Sequence, residues 1–159
     1  MLFRSHEAGR YYLLDMSSVF ASCAMSAFQG TPESILDVCA SPGGKSLLAW
    51  RRFHPTQMQC NEVIGKRIPA LVSNLKRCGV HSASVHSLDP SVLGQQVLGS
   101  ADIVIVDAPC SGQSLLGKGK EAEGCFHPAQ INMNCKRQRR ILASVAPCVK
   151  PNEIGRAHV

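Results

Sequence analysis

The chain has 159 residues, with 17 lysines and arginines against 11 aspartates and glutamates, a formal charge of +6, 45% apolar residues and 8 cysteines. A chain of this size buries roughly 70% of its extended surface on folding, enough for one cored domain without staples, and the composition excludes intrinsic disorder and collagen-like repeats. No stretch approaches the ~18 uninterrupted apolar residues of a membrane span, and residues 1–10 carry charges where a secretion signal is apolar, so a cytoplasmic protein with no membrane partner is expected.

In chain order, strand-like and helix-like segments alternate, the mark of an α/β sheet. Residues 11–28 carry apolar side chains at helical spacing, and Asp15 or Ser17 can cap a helix there. After the turn Gly30-Thr31-Pro32, residues 34–39 form a short apolar run suited to a buried parallel strand. A loop at 40–44 leads to a helix at 45–53, a second strand at 57–63, a helix at 67–78 closed by Gly79, and a third strand at 82–88. Residues 101–108 give the clearest strand, with Ile103, Val104, Ile105 and Val106 ending at Asp107. The glycine-rich stretch 112–124 reads as a mobile loop, and 128–149 as a helix that Pro147 ends or kinks. Four strands with right-handed helical crossovers amount to about half of a doubly wound sheet.

The cysteines at 23, 39, 60, 78, 110, 125, 135 and 148 are scattered, without a C-x-x-C pair or a Cys/His cluster at zinc spacing, and no metal is expected. They read as reduced thiols, mostly small core residues. The basic excess gathers at Lys66–Arg67, Lys76–Arg77, Lys118 and Lys120, and Lys136–Arg140, compatible with solvated helix faces or with a polyanionic partner such as nucleic acid.

Open α/β sheets bind ligands beyond the carboxyl ends of their strands. Asp37, Glu62, Asp89 and Asp107 fall at or just past those ends, where carboxylates either cap helices or meet a ligand. The loop Cys39-Ala40-Ser41-Pro42-Gly43-Gly44-Lys45-Ser46 ends like a P-loop but has Cys39 in place of the first glycine, and no Gly-x-Gly-x-x-Gly follows the first strand. What remains is a tight glycine turn that brings backbone N–H groups close to a ligand, with the Lys45 ammonium beside it. Glu62 can accept two ribose hydroxyls and Asp89 an exocyclic amine. S-adenosylmethionine has these parts. A second motif, Asp107-Ala108-Pro109-Cys110-Ser111-Gly112, sets a cysteine on a turn just past a buried strand, as a reactive thiolate or as an inert buried thiol.

With these two motifs the sequence resembles the RsmB/NOP/Sun-type RNA cytosine-5 methyltransferases, over nearly the whole chain. The segment 11–18, Asn61-Glu62 with Arg67, Asn74-Leu75, Gly79 and Gln138 support the match. The resemblance implies a class I, Rossmann-like methyltransferase fold over residues 1–152, with its C-terminal strands missing, and a monomer when intact. It implies that Cys39, Ala40, Ser41, Pro42, Gly43, Gly44, Lys45, Glu62, Asp89 and Asp107 hold S-adenosylmethionine, and that Asp107 also faces the target base. In that family one thiolate adds to carbon 6 of cytosine, making carbon 5 nucleophilic enough to take the methyl group, and a second cysteine helps expel the first. Cys110 matches the second. The implied substrate is ribosomal or transfer RNA, with Lys136-Arg137 and Arg139-Arg140 as candidate phosphate contacts.

The chain departs from the family at its end. The attacking cysteine lies in a Thr-Cys-Ser-like motif on the fifth strand, whereas Lys150-Pro151-Asn152 leads here into seven residues, 153–159, that contain no cysteine and look like a translated sequencing adapter. An incomplete gene fragment with a foreign tail, itself inactive, is therefore expected. A non-catalytic module that holds S-adenosylmethionine or RNA is the alternative, and the failed glycine spacings weigh against a nicotinamide- or ATP-using enzyme.

Overall fold

Alternate residues of the strands point to opposite faces, and at 35–36 and 103–106 both sets are apolar, as the middle of a sheet covered on both sides requires. The computed structural model describes residues 5, 8, 11–14, 16–119, 121 and 123–151, without the side chains of 114 and 118. Asp15, Lys120 and the expected tail at 153–159 lie outside the described residues. The elements are α1 (Met16–Cys23), β1 (Ser34–Asp37), α2 (Gly44–Phe53), β2 (Gln57–Asn61), α3 (Ile68–Arg77), β3 (Ala83–His86), α4 (Pro90–Gln96), β4 (Ile103–Ile105) and α5 (Pro128–Val145), with short 3-10 turns between some of them.

The four strands form a parallel sheet in the order β3-β2-β1-β4. Ile35 pairs with Met58 on one side and Ile103 on the other, so β1 is central in the sheet. Ile35, Met58, Ile103 and Ile105 pack with Leu47 and Ala49 of α2 and Leu71 and Leu75 of α3. Leu36, Val104 and Val106 pack on the opposite face with Leu93 of α4 and Ile141 and Val145 of α5. Helices cover both faces, the doubly wound, Rossmann-like arrangement. Each fully buried Leu or Ile in these layers contributes about 1.5–3 kcal/mol of transfer free energy.

Several boundaries differ from the sequence reading. The helix expected at 11–28 is confined to α1 and a 3-10 turn at Ala24–Ala27, after which Phe28 is extended. Pro147 does end the last helix, since α5 stops at Val145 and a 3-10 turn, Ala146–Cys148, follows. The expected loop 112–124 contains a 3-10 helix, Gln113–Lys118. The sequence reading missed α4, whose start is set by Asp89 accepting from Ser91 N at 2.9 Å and by Pro90 in the first turn. Gly94 lets α4 lie against α5, because a Cβ there would collide with the Ser144 carbonyl oxygen.

Past α5 the chain returns beside β4. Ala101 bridges in parallel to Val149, Lys150 N donates to Ala101 O, and Lys150 pairs with Asp102. Asp102 also accepts from Glu33 N and Ser34 N, both at 2.8 Å, which ties the entry of β1 to the entry of β4.

Candidate active site

The chain runs outward from β1 through β2 to β3 and then returns to β4 on the other side of β1, so the strand order reverses between β1 and β4. At that point the connections leave in opposite directions and open a crevice at the carboxyl ends of the strands. The loop after β1 and the turn after β4 both begin there.

Under the first loop, Asp37 is 1% exposed, and Ser46 Oγ donates to its Oδ2 at 2.6 Å while Oδ1 has no hydrogen-bond partner. Burial raises the Asp37 pKa to about 6, against the lowering effect of the Ser46 hydroxyl and with the Asp107 charge adding to the rise. Gly43, the residue preceding α2, has φ 113°, a conformation that L side chains rarely adopt, and a Cβ there would sit 3.3 Å from Leu71 Cδ1. The loop is fastened at several points. Asn74 Nδ2 donates to Pro42 O at 2.8 Å, Ser41 Oγ to Arg67 O at 2.9 Å, and Arg67 Nη2 to Ser41 O at 2.6 Å. Ala40 N donates to Asn61 O at 2.8 Å.

Glu62, at the tip of β2, is 2% exposed. Its Oε1 accepts from Ile64 N at 2.9 Å, and its Oε2 lies 3.3 Å from Arg67 Nη1 without receiving a hydrogen bond. The neighbouring Asn61 side chain joins three strand tips: Nδ2 donates to Val38 O and Leu88 O, and Leu88 N donates to Oδ1. Buried polar groups of this kind are costly unless paired, so Asn61 is a structural tie and Glu62 keeps one acceptor open.

Across the crevice, Lys45 Nζ donates to Asp107 Oδ2 at 2.7 Å. Three residues on, Cys110 is exposed, so the inert buried thiol considered for it is excluded. That description belongs to Cys60, and Cys39 is half-buried; each is pushed up to about 12 by burial first and by the Asp37 carboxylate second. Gln138, buried on α5, donates from Nε2 to Pro109 O at 3.1 Å and so pins the turn immediately before Cys110.

Asp89 is exposed and engaged locally. Its Oδ1 accepts from Ser91 N and, at 2.7 Å, from Ser91 Oγ, and its Oδ2 lies 3.9 Å from Arg140 Nη2. The Ser91 contacts hold its carboxyl below the usual range. Lys136, Arg137, Arg139 and Arg140 are exposed on α5, whose buried face carries Asn134, Gln138, Ile141 and Val145. The sequence reading quoted Arg67, Asn74, Asn61 and Gln138 without giving them work. The available signal was a polar residue interrupting an otherwise apolar helix stripe, as Gln138 does before Ile141 and Val145.

The arrangement offers a glycine turn with an ammonium beside it, a buried carboxylate with an open acceptor, and an exposed thiol near a carboxylate. The family model described as 16S rRNA methyltransferase RsmB/F matches residues 28–154. The chain is 29% identical over 147 residues to the Ribosomal RNA small subunit methyltransferase F of Escherichia coli, covering 92% of this chain and 31% of that protein. The chain thus spans about a third of the length of the curated relatives it matches. Among solved structures, NSun6 from Pyrococcus horikoshii with SFG superposes with a TM-score of 0.79 at 18% identity, covering 96% of this chain and 38% of that one. A methyltransferase homolog protein from the same organism gives 0.70 at 23% identity, covering 93% and 45%. At these identities the two structures bear on the fold, which is that of Rossmann-like methyltransferases.

Proposed function

Because the chain belongs to the 16S rRNA methyltransferase RsmB/F family, we propose that it forms the donor-binding part of an enzyme that methylates carbon 5 of cytosine in ribosomal RNA with S-adenosylmethionine. The observation that carries this reading is the buried Glu62 carboxylate oxygen that receives no hydrogen bond, at the strand tip beside the loop that turns at Gly43. A buried acceptor without a partner costs about 1–3 kcal/mol, a cost removed when ligand donors reach it. The donor set of S-adenosylmethionine fits: ribose hydroxyls for Glu62, an ammonium for carboxylate surroundings, and a carboxylate for backbone N–H groups and Lys45. The relative NSun6 was solved with SFG, an analogue of that molecule, which supports the same assignment.

When bound, S-adenosylmethionine supplies an electrophilic methyl group. In this reading Cys39, Ala40, Ser41, Pro42, Gly43, Gly44 and Lys45 wrap its amino-acid tail, and Glu62 accepts from the ribose. Asp89 receives the exocyclic amine on Oδ2, since Ser91 occupies Oδ1. Asp107, oriented by Lys45, faces both donor and base. Cys110 is the thiol that assists expulsion of the attacking thiol after transfer, and its exposure on a pinned turn suits that task. The part these residues play in this reading is to hold the donor and to supply Cys110. Exposed Lys136, Arg137, Arg139 and Arg140 contact RNA phosphates.

The test uses the gene product that carries a downstream Thr-Cys-Ser-like strand, incubated with 16S rRNA and methyl-labelled donor. Nucleoside mass spectrometry should find the label as 5-methylcytosine. Label on a ribose hydroxyl or an exocyclic nitrogen would overturn the carbon-5 assignment, because neither reaction uses a thiol pair.

A further inference from the structure

Arg67 ends the 3-10 turn Gly65–Arg67 and leads directly into α3, so its backbone is fixed by the helix while its side chain reaches back over the first loop. A guanidinium facing a carboxylate commonly makes two parallel hydrogen bonds that use both oxygens. Here the fork is divided. Nη2 donates to Ser41 O at 2.6 Å, and Nη1 lies 3.3 Å from Glu62 Oε2, close enough for charge attraction but without a hydrogen bond. Ser41 Oγ returns a hydrogen bond to Arg67 O at 2.9 Å, which locks the loop to the same residue. The Glu62 side chain is only 3% exposed, so solvent screens its attraction to the Arg67 guanidinium less than it would a pair between two surface groups.

We infer that Arg67 is a positioning residue that holds the Ser41 loop and the Glu62 carboxylate in one frame, so that the amino-acid side and the ribose side of the pocket are set together while Glu62 Oε2 stays free to accept. The inference rests on the donor-binding reading given above. Its mechanical content is coupling: loosening one wall degrades the other, and Arg67 acts through Glu62 and Ser41 without touching the ligand. Lysine cannot replace it fully, because one ammonium lacks the planar fork that reaches two acceptors in different directions.

The experiment is calorimetric titration of the 159-residue chain with S-adenosylhomocysteine, for wild type, Arg67→Met, Arg67→Lys, Glu62→Gln and the Arg67→Met/Glu62→Gln double variant, with the thermal midpoint of each ligand-free form. Arg67→Met should weaken binding about 10-fold, with Arg67→Lys in between, and the losses in the double variant should overlap instead of multiplying. Arg67→Lys, which keeps the charge, carries the same test if the methionine variant does not fold. The inference is overturned if wild type binds, Glu62→Gln weakens it, and the folded Arg67 variants bind as wild type does. It is equally overturned if the two losses multiply in full, or if the Arg67 variants lower the midpoint alone. Absence of binding by wild type would overturn the donor-binding reading itself, a different result from any of these.

Discussion

Lys45 Nζ and Asp107 Oδ2 are 2.7 Å apart although 62 positions separate them in the chain. The contact joins the first turn of α2 to the turn after β4, across the place where the strand order reverses. It therefore bridges the two segments between which the candidate site lies.

Replacing Lys45 by Met separates this role from stability. The two side chains are 17% and 46% exposed, so solvent screens the pair and its loss should cost less than about 1 kcal/mol of folding free energy. Affinity for S-adenosylmethionine should nevertheless fall about 10-fold, because the proposed charged contact to the ligand and the Lys45 hydrogen bond to Asp107 are both lost. Urea denaturation and calorimetry on the same samples check this. A large drop in stability with unchanged affinity would make Lys45 a structural residue.

Asp37 gives the fold a pH dependence. Its carboxyl titrates near 6 when folded against an ordinary 3.8, because burial and, less strongly, the Asp107 charge raise it by more than the Ser46 hydrogen bond and the Lys45 charge lower it. A raised carboxyl pKa means that the folded chain holds this proton more tightly than the unfolded chain. The contribution is fully present at acid pH, declines from about pH 4 to about pH 6, and is flat above. Its size is about 3 kcal/mol, from a shift of about two pH units. Asp37→Asn removes this decline, so the difference in unfolding free energy between wild type and variant, read by denaturant titration, should change across that window. Parallel curves would contradict the assignment.

Gly94→Ala tests the packing of α4 on α5. The added methyl meets a backbone carbonyl, which cannot rotate away, so the helices must separate at a cost of about 3 kcal/mol or more. Gly65→Ala is the control, since nothing lies within 4 Å of a Cβ there. A fluorescence denaturation curve should shift strongly for the first and by less than about 0.5 kcal/mol for the second. Equal shifts would mean that α4 and α5 do not pack this closely.

The strands and the two site motifs were legible because their signals are local. Ile103–Ile105 is a pure apolar run, and the glycines at 43 and 44 fall in the loop between β1 and α2. What escaped depends on contacts distant in sequence. α4 is too short for a periodic pattern, and its Gly94 reads as a helix breaker until Ser144 is seen beside it. The clamps made by Arg67 and Asn74 on Ser41 and Pro42 span 26 and 32 positions. Asp89 was legible as a strand-tip carboxylate, but its capping of α4 could not be separated from ligand binding without the helix itself. Cys110 could be read as reactive or as buried, and its exposure on the turn removes the buried reading.

The proposed adenosyl-donor site lies at the ends of β1, β2 and β4. Titrating the chain separately with S-adenosylmethionine, NAD and ATP tests it most directly. Saturable binding of the first alone, lost in Glu62→Gln, is the predicted result. Binding of NAD or ATP in its place, or S-adenosylmethionine binding that is indifferent to Glu62, would contradict it.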